Sequence, residues 1–472
     1  MILETFVAYL ILMVLIGIYE YRRTRNLPEF YIAGKKLGPL AVSFSFFATY
    51  FSTAAFLGGG GTGFILGFQW SAFLIFFHIL FAILAWLLIA PPLKRIADEQ
   101  GAMTIPEIFG RKFGKEVQII CALVILFFFE FYMVSIYKGA GILLQTMLSI
   151  SYLDALLITA IIVTIYTAIG GFRAVVTTDI IQGAIMFIGA IVLFLSILYS
   201  FGGLEAIAKL RVVKPEVFEI GKMGPTPVMN AGMIIPFVLS LTFAISIAQL
   251  SSPQLVIRFV AAKDQRVLAY GMILTPAIVG IFAICVFSIG PFGWLVIPKE
   301  EISTFLKDAD KVVPYMAMKM LPLGVNALLL TAIIAAAMST INSLVHVSAT
   351  ALVRDLLQNL RRIDDSKALK LTRLAVVVFA LIPVAFAISP PGIIVEIVGV
   401  SFSVITSAFL IPLIATLYAG NIRKGAVISS MIVAVAVCII WQIYFYRVYF
   451  TYPVVPGLLA SLATFLIFNL KK

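Results

Sequence analysis

Long runs of apolar residues make up most of the chain, and short polar segments that carry most of its charge separate them. A helix needs about 20 apolar residues to cross a bilayer, and this length divides the chain into thirteen predicted spans. They cover residues 4–21, 39–65, 69–92, 117–143, 152–170, 175–201, 230–258, 268–292, 322–355, 371–388, 391–419, 424–445 and 453–470. The pattern predicts an all-α integral membrane protein in which residues 1–472 form one domain.

The composition excludes a water-soluble enzyme. Of the 472 residues, 62% are hydrophobic and only 12% are charged, whereas soluble domains carry about 25% charged residues. The net charge of +12 would suggest a nucleic-acid partner in a soluble protein. Here basic cytoplasmic loops explain it, and no RNP, zinc-finger or basic-zipper motif argues otherwise. We expect a lipid bilayer around the protein, no nucleic-acid partner and no enzymatic activity.

The basic residues lie in alternate loops. One side of the predicted bundle carries 24 of the 34 Lys and Arg residues, the other carries nine, and Lys138 alone lies within a span. The richer side includes Arg258, Arg362, Lys471 and Lys472. Because basic loops face the cytoplasm, we expect a plasma-membrane protein with its N-terminus outside and its C-terminus in the cytoplasm. The two longer loops on the other side, 202–229 and 293–321, are charged and are expected to form short surface helices.

Two spans are interrupted. The second reads FSFFATYFSTAAFL and then reaches Gly58–Gly61, where each Gly costs about 1 kcal/mol relative to Ala in a helix interior, so we expect unwinding there. The seventh carries Ser251, Ser252 and Pro253 in its middle, and Pro removes a helical hydrogen bond. Interrupted spans in oppositely oriented halves are typical of inverted-repeat transporters that bind at the breaks. Two kinks without function remain the alternative.

One face of the ninth span is lined with small polar residues. Ser339, Asn342, Ser343 and His346 recur at spacings of three and four, with Ala336 on the same side. Neighbouring Thr340 adds another hydroxyl. Hard cations prefer oxygen ligands, so hydroxyls and helix carbonyls together are able to hold Na⁺ without a carboxylate. The alternative is that these small residues only allow helices to pack closely.

Few ionisable residues lie within spans, and each is a functional candidate. They include Asp179, Glu130 and Lys138. A buried Lys138 ammonium needs a partner, which is Glu130, a set of backbone carbonyls or an anionic group of a substrate. His346 fits a neutral, hydrogen-bonded core residue better than a proton relay.

Residues 168–182, AIGGFRAVVTTDIIQ, resemble the signature of the sodium:solute symporter family. The segments FATYFSTAAFLG (47–58), SPQLVIRFVAAKD (252–264) and AAAMST (335–340) are similar to other family motifs. The resemblance covers nearly the whole chain. It implies sodium-coupled transport of a solute such as proline, a sugar, sialic acid, pantothenate or a short monocarboxylate.

The resemblance also implies the five-plus-five inverted-repeat fold of the leucine transporter. On that plan, helix 4–21 is an extra N-terminal helix, residues 39–201 form the first repeat and residues 230–419 form the second. Two further helices lie within residues 424–470.

The ion sites follow from the same resemblance. The first sodium ion would be held by the carbonyls of Ala48, Phe51 and Ala336 and the hydroxyls of Ser339 and Thr340. A possible second, inner sodium ion would use Asp179, Ser343 and Asn342.

The expected solute is a small organic molecule, an amino acid or a monocarboxylate. The candidate contacts are Lys138, Tyr137, Gly59, Gly60, Gln249, Ser251 and Ser252. Some relatives have Asp where this chain has Tyr50, and proline carriers have a W-x-x-x-Y pattern where it has Ile245 and Gln249. These departures weaken proline as the solute, and Lys138 favours an anion. We expect import by alternating access; the alternative is a proton-coupled carrier of the same fold that uses Asp179, Glu130 or His346.

Overall fold

The computed structural model describes residues 2–225, 229–361 and 363–470. Within these ranges all regular secondary structure is helical, apart from one isolated bridge between Leu37 and Ala262, and turns and irregular segments connect the helices. Ten described helices are long and apolar enough to cross a membrane, and a bent pair makes an eleventh span. Arg362, Lys471 and Lys472, which were assigned to the cytoplasmic side, lie outside the described residues.

We number the long helices in chain order. They are α1 (Ile2–Tyr21), α2 (Pro39–Tyr50), α3 (Ala54–Leu66), α4 (Phe68–Gln100), α5 (Lys115–Leu148), α6 (Tyr152–Ser200), α7 (Ala231–Ile247), α8 (Pro253–Ala261), α9 (Gln265–Phe287), α10 (Leu323–Leu360), α11 (Asp365–Ala387), α12 (Ile394–Tyr418), α13 (Lys424–Tyr449) and α14 (Val454–Leu470). Shorter helices lie between them at Leu27–Ile32, Ile105–Phe113, Glu205–Val213, Ile302–Lys307 and Val312–Met320.

Helix α10 lies at the centre of the bundle. Within an apolar stretch of 18 residues of α10, 94% of the residues are buried inside the protein. The helix packs against α2, α5, α6 and α11. Small side chains on α10, including Ala335, Ala336 and Ala337, allow this close approach. The polar face that the sequence indicates on α10 therefore faces other helices and not lipid.

Helix α6 is interrupted at Gly171. Its 49 residues would extend about 74 Å as one straight helix, more than twice the hydrocarbon thickness of a bilayer. Gly171 has φ 61° and ψ −154°, which is not helical. The change of direction therefore separates two apolar runs, 152–170 and 172–200, close to the fifth and sixth predicted spans.

The break in the second span lies earlier than predicted. Helix α2 ends at Tyr50, Phe51 is extended (φ −90°, ψ 116°), and the axis of α3 is bent by 55° from that of α2. Gly58–Gly61 are helical, so the prediction that they unwind is wrong. The reason is packing: a Cβ at Gly59 would lie 2.6 Å from the Phe287 ring. Close contact with neighbouring elements thus offsets the low helix propensity of glycine.

The break in the seventh span lies where it was predicted. Helix α7 ends at Ile247, a short 3₁₀ turn follows, and Ser251 and Ser252 have non-helical backbone angles. Pro253 then begins α8, a position where its missing N–H costs nothing. Each broken span therefore consists of two half-helices with free backbone groups between them.

The two charged loops form short helices, as predicted, but only in part on the surface. Glu205–Val213 is largely exposed. In the other loop, Ala309, Val312 and Val313 are buried, and a Cβ at Gly60 would lie 2.6 Å from Val313. This second loop therefore packs onto α3, and we call its side of the bundle the Asp310 end.

We predict that Gly171→Ala destabilises the protein by about 1–3 kcal/mol, because a residue with a Cβ is strained in the backbone conformation of Gly171. The added Cβ would also lie 2.5 Å from the Phe30 ring. Unfolding of the purified protein in detergent measures the change. Gly420→Ala, where a Cβ meets no atom within 4 Å, is the control, and an equal effect of both substitutions would contradict the assignment.

Candidate functional site

A narrow cavity of about 30 Å³ lies beside the break between α2 and α3. Its wall is rich in aromatic residues and comes from both broken spans and from α4, α5, α9 and α12. The lining residues are Tyr50, Phe51, Ser52, Ala54, Ala55, Gly59, Trp70, Leu74, His78, Tyr132, Ile245, Phe287, Val395, Val398 and Phe402. No Asp, Glu, Lys or Arg is among these lining residues.

Polar groups in this wall connect the two breaks. The Tyr50 hydroxyl donates to the carbonyl of Ile245, 3.2 Å away on α7. The Ser52 hydroxyl accepts from the N–H of Ala54 at 3.1 Å, at the first turn of α3. His78 Nδ1 lies 2.7 Å from the Ser246 hydroxyl. The cavity thus offers the N-terminal end of a half-helix and aromatic faces, but no fixed ionic charge.

The end of α2 lies directly against the polar face of α10. The Thr340 hydroxyl lies 3.1 Å from the Thr49 carbonyl and 3.1 Å from the Ala336 carbonyl. The Thr49 and Ser343 hydroxyls are 2.9 Å apart. Because α2 ends here, its last carbonyls have no partner within the helix. Ala48 and Phe51 flank this contact, so the structure brings together the two segments that carry the predicted sodium ligands.

Asp179 lies next to this contact and is fully buried. Its Oδ1 accepts from the Ser339 hydroxyl at 2.6 Å. Its Oδ2 accepts from the Ser45 hydroxyl at 2.6 Å and lies 3.2 Å from the Arg258 guanidinium. The carboxylate of α6 is therefore bound to α2, α8 and α10 at once.

Arg258 was assigned to a cytoplasmic loop, and that prediction is wrong. It lies on α8, and its side chain is 0% exposed. Its Nη2 donates to Ser343 at 2.5 Å and Thr49 at 2.7 Å, and its Nε donates to Ser45 at 3.1 Å. A signal was present: Arg258 is only five residues beyond Pro253, about 7.5 Å along a helix that begins inside the bundle.

Asn342 and His346 are further candidates on α10, and Asn342 contacts another predicted sodium ligand, Ser343. Asn342 Nδ2 donates to the Tyr166 hydroxyl at 3.1 Å, and its Oδ1 accepts from Ser343 at 3.1 Å. His346 Nε2 lies 2.9 Å from the Phe30 carbonyl, which accepts only, so the proton is on Nε2. Of the predicted second sodium site, Asp179 and Ser343 lie together, with Arg258 between them.

Lys138 does not reach the central cavity. Its ammonium is 2.6 Å from Asp310 Oδ2 and 3.0 Å from the Gly392 carbonyl. Asp310 also accepts from the N–H of Ile394, at the start of α12, at 3.1 Å. Burial raises the pKa of the Asp310 carboxyl, and the Lys138 ammonium partly offsets that rise. Glu130, the partner considered from the sequence, has no hydrogen-bond partner among the described residues.

The other predicted solute contacts lie around the cavity and not in its wall, except Gly59, whose carbonyl accepts from Trp70 Nε1 at 2.9 Å. Tyr137 points away, with its hydroxyl 2.9 Å from the Ala380 carbonyl. Gly60 packs on the loop at the Asp310 end.

The polar residues at the second break have few hydrogen-bond partners among the described residues. The Gln249 amide nitrogen donates to the His78 carbonyl at 3.1 Å. In the described part of the chain, Gln249 Oε1 and the hydroxyls of Ser251 and Ser252 are buried without a partner. The sequence did not identify the aromatic wall, because Phe, Tyr and Trp are common throughout the spans.

Known proteins resemble this chain over most of its length. The model of the sodium:solute symporter family matches residues 30–433. The sodium/pantothenate symporter of Haemophilus influenzae is 28% identical over 464 residues, covering 96% of this chain and 93% of the relative. The high-affinity proline transporter PutP of Bacillus subtilis is also 28% identical, covering 95% of this chain and 94% of the relative.

The fold has solved counterparts. A substrate-bound, outward-open Na⁺-coupled sialic acid symporter superposes with a TM-score of 0.81 at 18% identity, covering 99% of this chain and 97% of that chain. Mhp1, a nucleobase-cation-symport-1 family transporter in a closed conformation, gives a TM-score of 0.58 at 12% identity, covering 92% of each chain. At these identities the similarity establishes the fold only.

We predict that Lys138→Met destabilises the protein by about 3–5 kcal/mol, because it leaves the buried Asp310 carboxylate without its cation. The double variant Lys138→Met/Asp310→Leu should recover most of this loss. Unfolding in detergent measures both.

Lys311→Met is the matched control, since Lys311 pairs with Asp308 at 3.0 Å in the same loop but is 52% exposed. We expect the control to change stability by less than about 1 kcal/mol. A double variant no more stable than Lys138→Met would contradict the pairing.

Proposed function

This chain belongs to the sodium:solute symporter family, and from that premise we propose that it carries a compact zwitterionic solute, of the amino-acid class, into the cell. Sodium-coupled import of a small organic solute is the activity of the family.

The proposed architecture has thirteen spans with the N-terminus outside. Dividing α6 at Gly171, counting α2 and α3 as one span and adding the 17-residue α14 support that number. The two inverted repeats are residues 39–201 and 230–419, with one broken span early in each. The Asp310 end is then extracellular. The buried groups around Asp179, which we call the Asp179 cluster, lie on the cytoplasmic side of the cavity; they are Ser45, Thr49, Asp179, Arg258, Ser339 and Ser343.

The proposed sodium site lies between the end of α2 and α10. Its ligands are the carbonyls of Ala48, Phe51 and Ala336 and the hydroxyls of Ser339 and Thr340. The contact between Thr340 and the Thr49 carbonyl supports this position. Sodium bound there replaces the hydrogen bond between Thr340 and Thr49 with ligands from both helices. The ion therefore links α2 to α10 and sets the angle between α2 and α3.

The proposed solute carries no net charge. The wall of the cavity has no charged side chain, and Lys138, the group that favoured an anion, is bound to Asp310. The N-terminus of α3 is suited to a carboxylate, because the positive end of a half-helix dipole stabilises negative charge. The aromatic faces of Tyr50, Trp70 and Tyr132 are suited to an ammonium.

A volume of about 30 Å³ is far below that of ordinary ligand pockets, so the cavity is nearly closed in this state and favours a compact solute. Among the relatives, the proline carriers match this charge type better than the pantothenate carriers, because proline is a zwitterion and pantothenate an anion. The missing W-x-x-x-Y pattern does not count against other compact amino acids.

Access from outside is proposed to open when α3 moves away from the loop at the Asp310 end. The contact of Gly59 with Phe287 and of Gly60 with Val313 closes this path. The Lys138–Asp310 ion pair joins α5 to the same loop, and the Asp310–Ile394 hydrogen bond joins that loop to α12. Lys138 is therefore a gating residue in this proposal and not a solute ligand.

We predict that Ser339→Ala/Thr340→Ala raises the Na⁺ concentration for half-maximal uptake at least about tenfold, a loss of about 1.4 kcal/mol. Sodium-driven uptake into proteoliposomes, and thermal stabilisation by Na⁺, measure it. Ser348→Ala is the control, because Ser348 is a buried residue of the same helix whose hydroxyl has no partner in the described residues. Unaltered Na⁺ dependence in the double variant would refute the site.

We predict that an amino-acid substrate binds at least about tenfold more tightly than the 2-hydroxy acid of the same skeleton, because only the amino acid presents an ammonium to the aromatic faces. Thermal-shift titrations of purified protein in Na⁺ with paired amino and hydroxy acids test this. Tighter binding of the hydroxy acids, abolished by Lys138→Met, would instead favour an organic anion.

A further inference from the structure

The Asp179 cluster contains a cation that belongs to the protein. The Arg258 guanidinium contacts Asp179, Ser343 and Thr49 at 3.2, 2.5 and 2.7 Å. Asp179 and Ser343 are two of the three residues that a second sodium ion was expected to use, Asn342 being the third. We propose that Arg258 is a tethered counter-cation, which takes the place of a second Na⁺ at Asp179 and keeps the carboxylate neutralised throughout the cycle, including the return of the empty carrier.

Electrostatics require some cation at this position. Asp179 is fully buried, and removing the partner of a buried ion pair is strongly destabilising. A transported ion is released into the cytoplasm in each cycle. It therefore cannot neutralise Asp179 while the empty carrier returns. Arg258 is covalently attached and always charged, so it is present in that step.

Uncharged groups, in addition to the Asp179 carboxylate, hold the guanidinium. Its Nη1 donates to the Gln254 carbonyl, and its carbon lies 5.1 Å from the centre of the Phe172 ring. Because these groups lie on α8 and α6, the position of Arg258 follows the relative position of the two helices. Movement of α8, which begins at a break, therefore changes the distance between guanidinium and carboxylate.

The cluster is also connected to the proposed sodium site. Ser339 donates to Asp179 at 2.6 Å and is a proposed ligand of the first ion. Thr49 supplies its carbonyl to Thr340 and its hydroxyl to Arg258. A sodium ion that binds between α2 and α10 would therefore disturb two hydrogen bonds made by the Asp179 cluster. These are the bond from Ser339 to Asp179 and the bond from Thr340 to Thr49. This inference rests on the proposed function only in taking Na⁺ as the ion that Arg258 replaces.

The test uses Arg258→Gln in the full-length protein, purified in Na⁺ and reconstituted into proteoliposomes. Without the guanidinium, Asp179 binds an additional Na⁺, so ²²Na⁺ bound per protein should about double. Return of the empty carrier is then disfavoured, and the ratio of solute counterflow, with Na⁺ on both sides, to net uptake should rise at least about tenfold. A solely structural role of Arg258 would lower both fluxes together.

Three controls separate the explanations. Arg258→Lys keeps the charge and should restore net uptake relative to Arg258→Gln. Arg258→Gln/Asp179→Asn leaves no unpaired charge and should bind ²²Na⁺ and partition its fluxes as the wild type does. Arg173→Gln is the matched control, since it removes an arginine that pairs with a different carboxylate, Glu20, at 3.1 Å, and both readouts should stay unchanged.

The outcomes are distinguishable. Unchanged ²²Na⁺ binding and flux ratio in Arg258→Gln, beside a sodium-dependent wild type, overturn the tethered cation. A wild type that ignores Na⁺ overturns the proposed coupling instead. If the Arg258→Gln protein cannot be produced in folded form, Arg258→Gln/Asp179→Asn decides between the explanations. A wild-type flux ratio in this double variant supports the inference, and a loss of net uptake relative to counterflow overturns it.

Discussion

The need to neutralise one buried carboxylate determines how the central helices meet. Asp179 projects from α6, and its hydrogen-bond donors and its cation come from Ser45 on α2, Arg258 on α8 and Ser339 on α10. A buried carboxylate is stable only with such partners. Because each partner is fixed on a different helix, Asp179 is neutralised only where these helices meet.

These partners also lie next to the two breaks. Ser45 and Thr49 belong to the half-helix before the first break, and Arg258 belongs to the half-helix after the second. Half-helices at such breaks form the binding sites of inverted-repeat transporters. A change in the angle at either break would therefore change the partners of Asp179.

Sequence reasoning predicted the features that depend on local chemistry. The Ser251–Ser252–Pro253 break, the polar face of α10 and the adjacency of Thr340 to the end of α2 follow from helix propensity, residue spacing and the family resemblance. The features it missed depend on partners far along the chain. Gly58–Gly61 remain helical because Phe287 and Val313 pack on them, and Lys138 is neutralised by Asp310, 172 residues away. No local pattern contains such contacts.

The charge of the bound solute and the role of Arg258 constrain each other through energetics. One elementary charge that crosses 100 mV is worth about 2.3 kcal/mol, or about 50-fold accumulation at about 1.4 kcal/mol per decade. A zwitterion carried with one Na⁺ uses that energy, whereas a monovalent anion carried with one Na⁺ moves no net charge and needs a second ion. With Arg258 at Asp179 in the empty carrier, a second ion must displace a cation of equal charge. A neutral cavity and a tethered guanidinium are thus consistent with a carrier of zwitterions driven by one sodium ion.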